Sequence, residues 1–212
     1  MKILSVTSLA LPDVKVVRFA RFADRRGYFT EPFRRSDIDQ HSALAPLRGV
    51  ALPQMNESWS KAGVIRGLHL QWNPLMGKLV RTISGRMVDL FLDIRLGSPT
   101  FGKIAAHDMP SADDAPHGEW IWVPAGFAHG IFFTEASRIE YLCSSEYSPA
   151  CEAGLSPVAP DLDWSLCDPA LKSAFDDLVA SGATLSEKDA TGFTLTAWQA
   201  DDRSRHFVYG RC

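Results

Sequence analysis

The sequence predicts a mainly β fold, an antiparallel sandwich or barrel, with a short helical segment towards the C-terminal end. Three observations carry this. From about residue 14 to 155, short apolar runs are divided by Gly, Pro, Asn and Asp, the spacing of strands joined by tight turns. Within residues 86–94, Val88, Leu90, Leu92 and Ile94 alternate with Asp89, Phe91 and Asp93, and that period of two is a strand signal. After residue 156 the pattern changes. Asp168-Pro169 reads as an N-cap with proline at the first helical position, Leu171, Phe175, Leu178 and Val179 recur at helical spacing, and Gly182 reads as a stop.

Taken along the chain, the opening MKILSVTSLALPDVKVV is the start of a strand. Ser5, Thr7 and Ser8 interrupt its apolar run, Pro12 and Asp13 follow, and no small-x-small cleavage site stands behind it, so it is not read as a secretion signal. Strands are expected at 63–71, 120–123, 129–134 and 138–144, and a strand pair at 78–84 and 86–94, hinged at Gly85. The polar stretch 107–118 is expected as an exposed loop, and a helix at 169–181. The last thirty residues have apolar runs without a clear period. The expectation is one domain, 1–212, with a β core at 14–155 and a C-terminal helix and extension at 156–212 packed on it.

Composition narrows the function. With 22 basic and 25 acidic residues and a net charge of −3, no basic field marks a nucleic-acid partner, although a local Arg/Lys cluster can still bind a small anion. No apolar stretch approaches the roughly 20 residues needed to span a membrane. Cys143, Cys151, Cys167 and Cys212 form no CxxC pair, which argues against a thiolate metal site or disulfide scaffold and fits a cytoplasmic protein.

Two stretches resemble the paired motifs of a cupin-type jelly roll: RGLHLQWNPLMGKLVRTISG (66–85) and VPAGFAHGIFF (123–133), the second with a Pro-x-Gly-x-x-His core. Metal-binding cupins supply His-x-His and a Glu from the first motif and one His from the second. Here Gln71 stands where the second His belongs and Lys78 where the Glu belongs. His69 and His129 alone remain, and a lysine cation beside them repels a divalent ion. No metal and no cofactor are expected. A cavity presenting His, Lys and Tyr instead suits proton removal from carbon next to a carbonyl: a neutral imidazole takes the proton, an ammonium stabilises the enolate oxygen and a tyrosine returns a proton from the far side.

Six ordered blocks resemble the dTDP-4-dehydrorhamnose 3,5-epimerase family: DRRGYFTEPF (24–33), QMNESWSKAGVIRGLHLQ (54–71), GKLVRTISGRMVDLFLDIRLGSPTFGK (77–103), WIWVPAGFAHGIFF (120–133), EYLCSSEYSPACEAG (140–154) and LSEKD (185–189). The resemblance implies that His69 is the general base, Asp189 the carboxylate orienting it, Tyr141 the general acid and Lys78 the group at the enolate oxygen, with His129 lining the same pocket. It implies nucleotide contacts from Arg26, Glu31, Gln54, Asn56 and Arg66, stacking by Tyr147 with Phe29 as second aromatic, and further ligand contacts from Glu152 and Lys188. It also implies a homodimer with N-terminal strands crossing between subunits. Strict alternation would set Arg66 and His69 on opposite faces, and Gly67 between them is a place for a bulge that re-aims one of them.

The chain departs from the family at Met55 and Leu70, both near the expected pocket, and in the acidic helical segment 168–181. Three functions follow. The first is a 3,5-epimerase of dTDP-4-keto-6-deoxyglucose. The second is an epimerase of one carbon, or of a GDP- or CDP-linked sugar. The third is a non-catalytic sugar-nucleotide binder, disfavoured because His69, Lys78, Tyr141 and Asp189 occur together.

Overall fold

The computed structural model describes residues 1–212. In chain order the strands are β1 (Ile3–Ser8), β2 (Lys15–Asp24), β3 (Gly27–Thr30), β4 (Gln54–Ser60), β5 (Ile65–Gln71), β6 (Lys78–Asp93), β7 (Ile104–Ser111), β8 (His117–Val123), β9 (Phe127–Phe133), β10 (Ser137–Cys143) and β11 (Glu152–Gly154). The helices are α1 (Arg35–Gln40), α2 (Pro169–Ala180), α3 (Glu187–Ala190) and α4 (Leu195–Ala200).

β6 belongs to two sheets. Its first half, from Lys78, lies between β8 and β10 in a sheet ordered β1-β2-β8-β6-β10-β4, with β3 folded back on β2. Its second half lies between β7 and β9 in a sheet ordered β7-β6-β9-β5-β11. All of these pairings are antiparallel, and the result is a jelly roll. The expected hairpin at Gly85 is therefore one continuous strand. A tight hairpin needs about two loop residues, and a single glycine separates the two runs. Gly85 adopts φ +83°, and a Cβ there would lie 2.4 Å from the Ala136 carbonyl oxygen, so the glycine lets the strand bend from one sheet into the other.

The stretch 107–118 also differs from expectation. Most of it is strand, β7 running to Ser111 and β8 starting at His117, with only 112–116 as the connection. β7 is an edge strand, which tolerates polar side chains and Pro110, while Ala105 and Met109 still point into the core.

Three apolar layers follow from the alternation. Between the sheets lie Val80, Met87, Phe91, Ile121, Phe127 and Ile131. Outside the first sheet, Val17, Phe19, Leu79 and Trp120 are covered by Ile38, Leu44 and Leu47 of the segment around α1. Outside the second, Val88, Leu90, Leu92 and Ile94 meet Phe175, Trp198 and Phe207. The alternating run of β6 thus buries both faces, because the C-terminal chain supplies the outer cover. α2 forms as expected: the Asp168 carboxylate accepts from the Ala170 N–H at 2.8 Å, Pro169 starts the helix, and Gly182 follows it at φ +87°. Residues after 190 continue that cover, with a parallel bridge from Phe193 to Leu155 and another from Val208 to Leu96.

Candidate active site

A cavity of about 400 Å³ opens between the sheets, lined by side chains of β4, β5, β6, β9 and β10 and by Tyr147 and Glu152. A recess of about 130 Å³ adjoins it, where Arg66, His69, Lys78, His129 and Tyr141 meet. Chain segments from four of the six sequence blocks supply these five residues, and alternation aims them inward from neighbouring strands.

On β5 plain alternation is broken. The pairing with β9 shifts register between Arg66 and His69, and Gly67 within it has φ +112°. Ile65, Leu68 and Leu70 all pack in the outer core, so Arg66 and His69 both face the cavity. Close approach demands the glycine: a Cβ at residue 67 would lie 2.5 Å from Gly130 Cα.

His69 Nε2 is 2.6 Å from Asp189 Oδ1. Asp189 sits on α3, capped by the Ser186 hydroxyl, and is buried, whereas the imidazole is 35% exposed. Burial would raise the Asp189 carboxyl, but bonds from His69, Ser186 and the Gly67 N–H outweigh it and hold the group below its ordinary value. An ionised carboxylate accepts, so Nε2 carries the proton and Nδ1 is left with a free lone pair.

A second pair lies alongside: His129 Nε2 is 2.8 Å from Asp89 Oδ2, and both side chains are buried. Asp89 was not singled out from the sequence. The signal was present, since alternation on β6 sets Asp89 and Phe91 on one face and a carboxylate on a core-facing position needs a partner.

Lys78 opens β6. Burial lowers its ammonium pKa below the ordinary lysine value, opposed by the negative charges of Asp89 and Glu152 and by the Cys143 thiol. Its Nζ lies 6.0 Å from the Tyr141 ring centroid. Burial pushes the Tyr141 phenol up, with Cys143 adding to this and Asn56 and Arg66 opposing it. Tyr141 therefore keeps its proton, as a donor must.

At the outer end, Gln54, Asn56, Tyr147 and Glu152 line the larger cavity. Tyr147 donates its hydroxyl to Glu152 at 2.8 Å, and Lys188 reaches the same carboxylate oxygen at 2.5 Å. Arg66 donates to the Ser60 hydroxyl at 2.9 Å. Three expected residues are not brought to the cavity by this chain. Arg26 pairs with Asp24 at 2.6 Å and Phe29 is 70% exposed, both on the β2–β3 hairpin, and Glu31 just beyond it holds the Met1 ammonium at 2.5 Å and Arg34 at 2.7 Å. Among the departures from the family pattern, Leu70 borders the larger cavity, while Met55 and α2 lie away from it. Met55 is exposed on β4, the Leu70 side chain packs in the outer core and α2 serves as cover for the second sheet. No group of three or more His, Cys, Asp and Glu side chains is placed to hold a metal ion.

Imidazoles backed by carboxylates, a phenol that keeps its proton and a lysine in one recess are equipment for moving protons on and off carbon, and on a jelly roll they define an isomerase. The family model described as dTDP-4-dehydrorhamnose 3,5-epimerase matches residues 8–197, and the chain belongs to that family. The dTDP-4-dehydrorhamnose 3,5-epimerase of Sinorhizobium fredii is 37% identical over 187 residues, covering 87% of this chain and 86% of that one. A Legionella pneumophila epimerase solved in complex with dTDP-4-keto-L-rhamnose superposes with TM-score 0.78 at 29% identity, covering 96% of this chain and 97% of that chain. A 3'-monoepimerase from Streptomyces bikiniensis in complex with dTDP-quinovose superposes with TM-score 0.73 at 27% identity, covering 94% of this chain and 89% of that chain.

Proposed function

We propose that this protein binds dTDP-4-keto-6-deoxyglucose and inverts C3 and C5 in turn. His69 Nδ1 removes the proton from carbon next to the C4 ketone, the electron pair moves onto O4, and Lys78 stabilises the enolate. Tyr141 then returns a proton from the opposite face, collapsing the enolate to the inverted ketone. Asp189 holds the imidazole and stabilises its protonated form. His129, set by Asp89, lines the sugar end. Arg66 meets the diphosphate with its two-pronged guanidinium, Tyr147 stacks on the base, and Gln54, Asn56, Glu152 and Lys188 complete the nucleotide end.

The observation that carries this reading is the convergence of the His69–Asp189 pair, Lys78 and Tyr141 on one recess. Arg26, Phe29 and Glu31 act in a homodimer, where the exposed N-terminal hairpin crosses to a second subunit's cavity; light scattering at working concentration tests that assembly. Four unpaired cysteines support a cytoplasmic setting for this reaction. Incubation with dTDP-4-keto-6-deoxyglucose in deuterated water, followed by product NMR, tests the chemistry. Inverted carbons labelled at both C3 and C5 support it; label at one carbon alone marks a single-centre enzyme, and an unconverted substrate removes the sugar assignment.

A further inference from the structure

Gln71 occupies the position where metal-binding relatives of this fold carry the second histidine of His-x-His, and nothing in the proton chemistry uses it. Its side chain is 4% exposed, yet it is the most heavily bonded in the region. Nε2 donates to the Pro74 carbonyl at 2.9 Å, to the Glu146 carbonyl at 3.1 Å and to the Ser145 hydroxyl at 3.3 Å. Oε1 accepts from the Ser148 N–H at 2.8 Å. Three of these four partners lie in 145–148, the segment that leaves β10 and carries Tyr147 across the cavity mouth. One residue back, the Tyr147 N–H donates to Gln54 Oε1, also at 2.8 Å.

Two adjacent backbone N–H groups are thus held by two glutamines from two different strands, β4 and β5. Such a segment lacks sheet pairing of its own, so without these acceptors its amides would turn to solvent and its side chains would lose a fixed position. We infer that Gln71 is a positioning residue that braces the 145–148 segment and so sets Tyr147 for the nucleotide base: the former metal-ligand position has become a strut for substrate binding. This rests on the dTDP-sugar reading above for the identity of the base that Tyr147 meets. The brace itself does not, because each of these bonds joins groups of the chain itself. An amide is suited to the place where a histidine or carboxylate is not, since it alone offers two donors and an acceptor at one tip.

Two measurements on the full-length protein test this. Hydrogen exchange on the free wild-type and Gln71→Glu proteins reads the brace without substrate. Gln71→Glu keeps shape and the Ser148 acceptor but sets a carboxylate oxygen against the Glu146 and Pro74 carbonyls. Faster exchange confined to 144–149 is expected; unchanged exchange there overturns the brace. Steady-state kinetics with dTDP-4-keto-6-deoxyglucose and calorimetry with dTDP then read its consequence. KM and the dTDP Kd are expected to rise roughly tenfold with kcat within about twofold, and Gln71→Glu is expected to add nothing further in a Tyr147→Ala background. A fall in kcat at unchanged KM, or multiplicative effects in the double variant, overturns the link to Tyr147. Wild-type protein without affinity for dTDP refutes the nucleotide reading, an outcome distinct from the exchange result.

Discussion

The His69 imidazole and the Asp189 carboxylate lie 2.6 Å apart although 120 residues separate them in the chain. The bulge at Gly67 turns His69 inward, and the C-terminal chain returns over the second sheet to place α3 beneath it. The pair therefore depends on two pieces of backbone, not only on its own side chains.

His69→Asn is expected to lower the turnover rate by about 10²–10⁴-fold or more while dTDP affinity stays close to wild type, since Arg66, Gln54 and Tyr147 hold the other end of the ligand. Solvent-proton exchange and calorimetry on the same preparation check both halves. Wild-type exchange in the variant would remove His69 as the base.

Gly67→Ala tests the bulge. The left-handed φ and the 2.5 Å approach to Gly130 Cα leave no room for a methyl group. A loss of roughly 1–3 kcal/mol in urea unfolding is expected, with activity falling further than stability because His69 is re-aimed. Unaltered activity would mean that the bulge does not set the base.

The alkaline limb of the rate profile reports Lys78. Its pKa lies below the ordinary lysine value, so the stabilising cation is lost as pH rises through that lowered value, before the roughly 10.4 of a free lysine. Tyr141, shifted upward, still holds its proton there. Lys78→Arg should be slower but should lose this limb; an unchanged limb would assign it elsewhere.

Acid stability carries a separate signature remote from the active site. Burial would raise Glu119, but the neighbouring His107 imidazole, 3.5 Å away, and the Arg18 guanidinium, which donates to it at 2.5 Å, bring it from 4.5 down to about 2. Because the folded value is the lower one, the stability it contributes is present above the unfolded value and is lost as pH falls from there through about 2. Glu119→Gln should melt on the order of 5 °C lower at neutral pH, with the gap closing below pH 4. A gap independent of pH would show that packing, not charge, is responsible.

Much of this was legible in the sequence, for identifiable reasons. Alternation in 86–94 marked a strand because Val88, Leu90, Leu92 and Ile94 share one face and Asp89 and Asp93 the other, and the Asp168-Pro169 and Gly182 signals bounded α2 because capping is local. His69, Lys78, His129 and Tyr141 were legible as a set through short motifs. Other features depend on contacts distant in sequence. One glycine looks like a hairpin hinge until Ala136 and β10 are seen beside it, and 107–118 looks like a loop until β6 offers it an edge. Asp89 showed by its core-facing position that it needs a partner, but not which, because His129 is on another strand. Arg26, Phe29 and Glu31 matched a motif, but no local rule says that the fold leaves them away from the cavity of their own chain. Met55 and Leu70 both stand close to the pocket by position; Leu70 borders it, while strand alternation turns the Met55 side chain out to solvent.

In the proposed mechanism protons leave on the His69 side and return from Tyr141. Tyr141→Phe, incubated with dTDP-4-keto-6-deoxyglucose in deuterated water and followed by NMR, tests it most directly. Deuterium should still enter from the His69 face with retention of configuration, while the inverted product largely disappears. Inversion at the wild-type rate in that variant, or an inverted product of the wild type that carries no solvent deuterium, would contradict it.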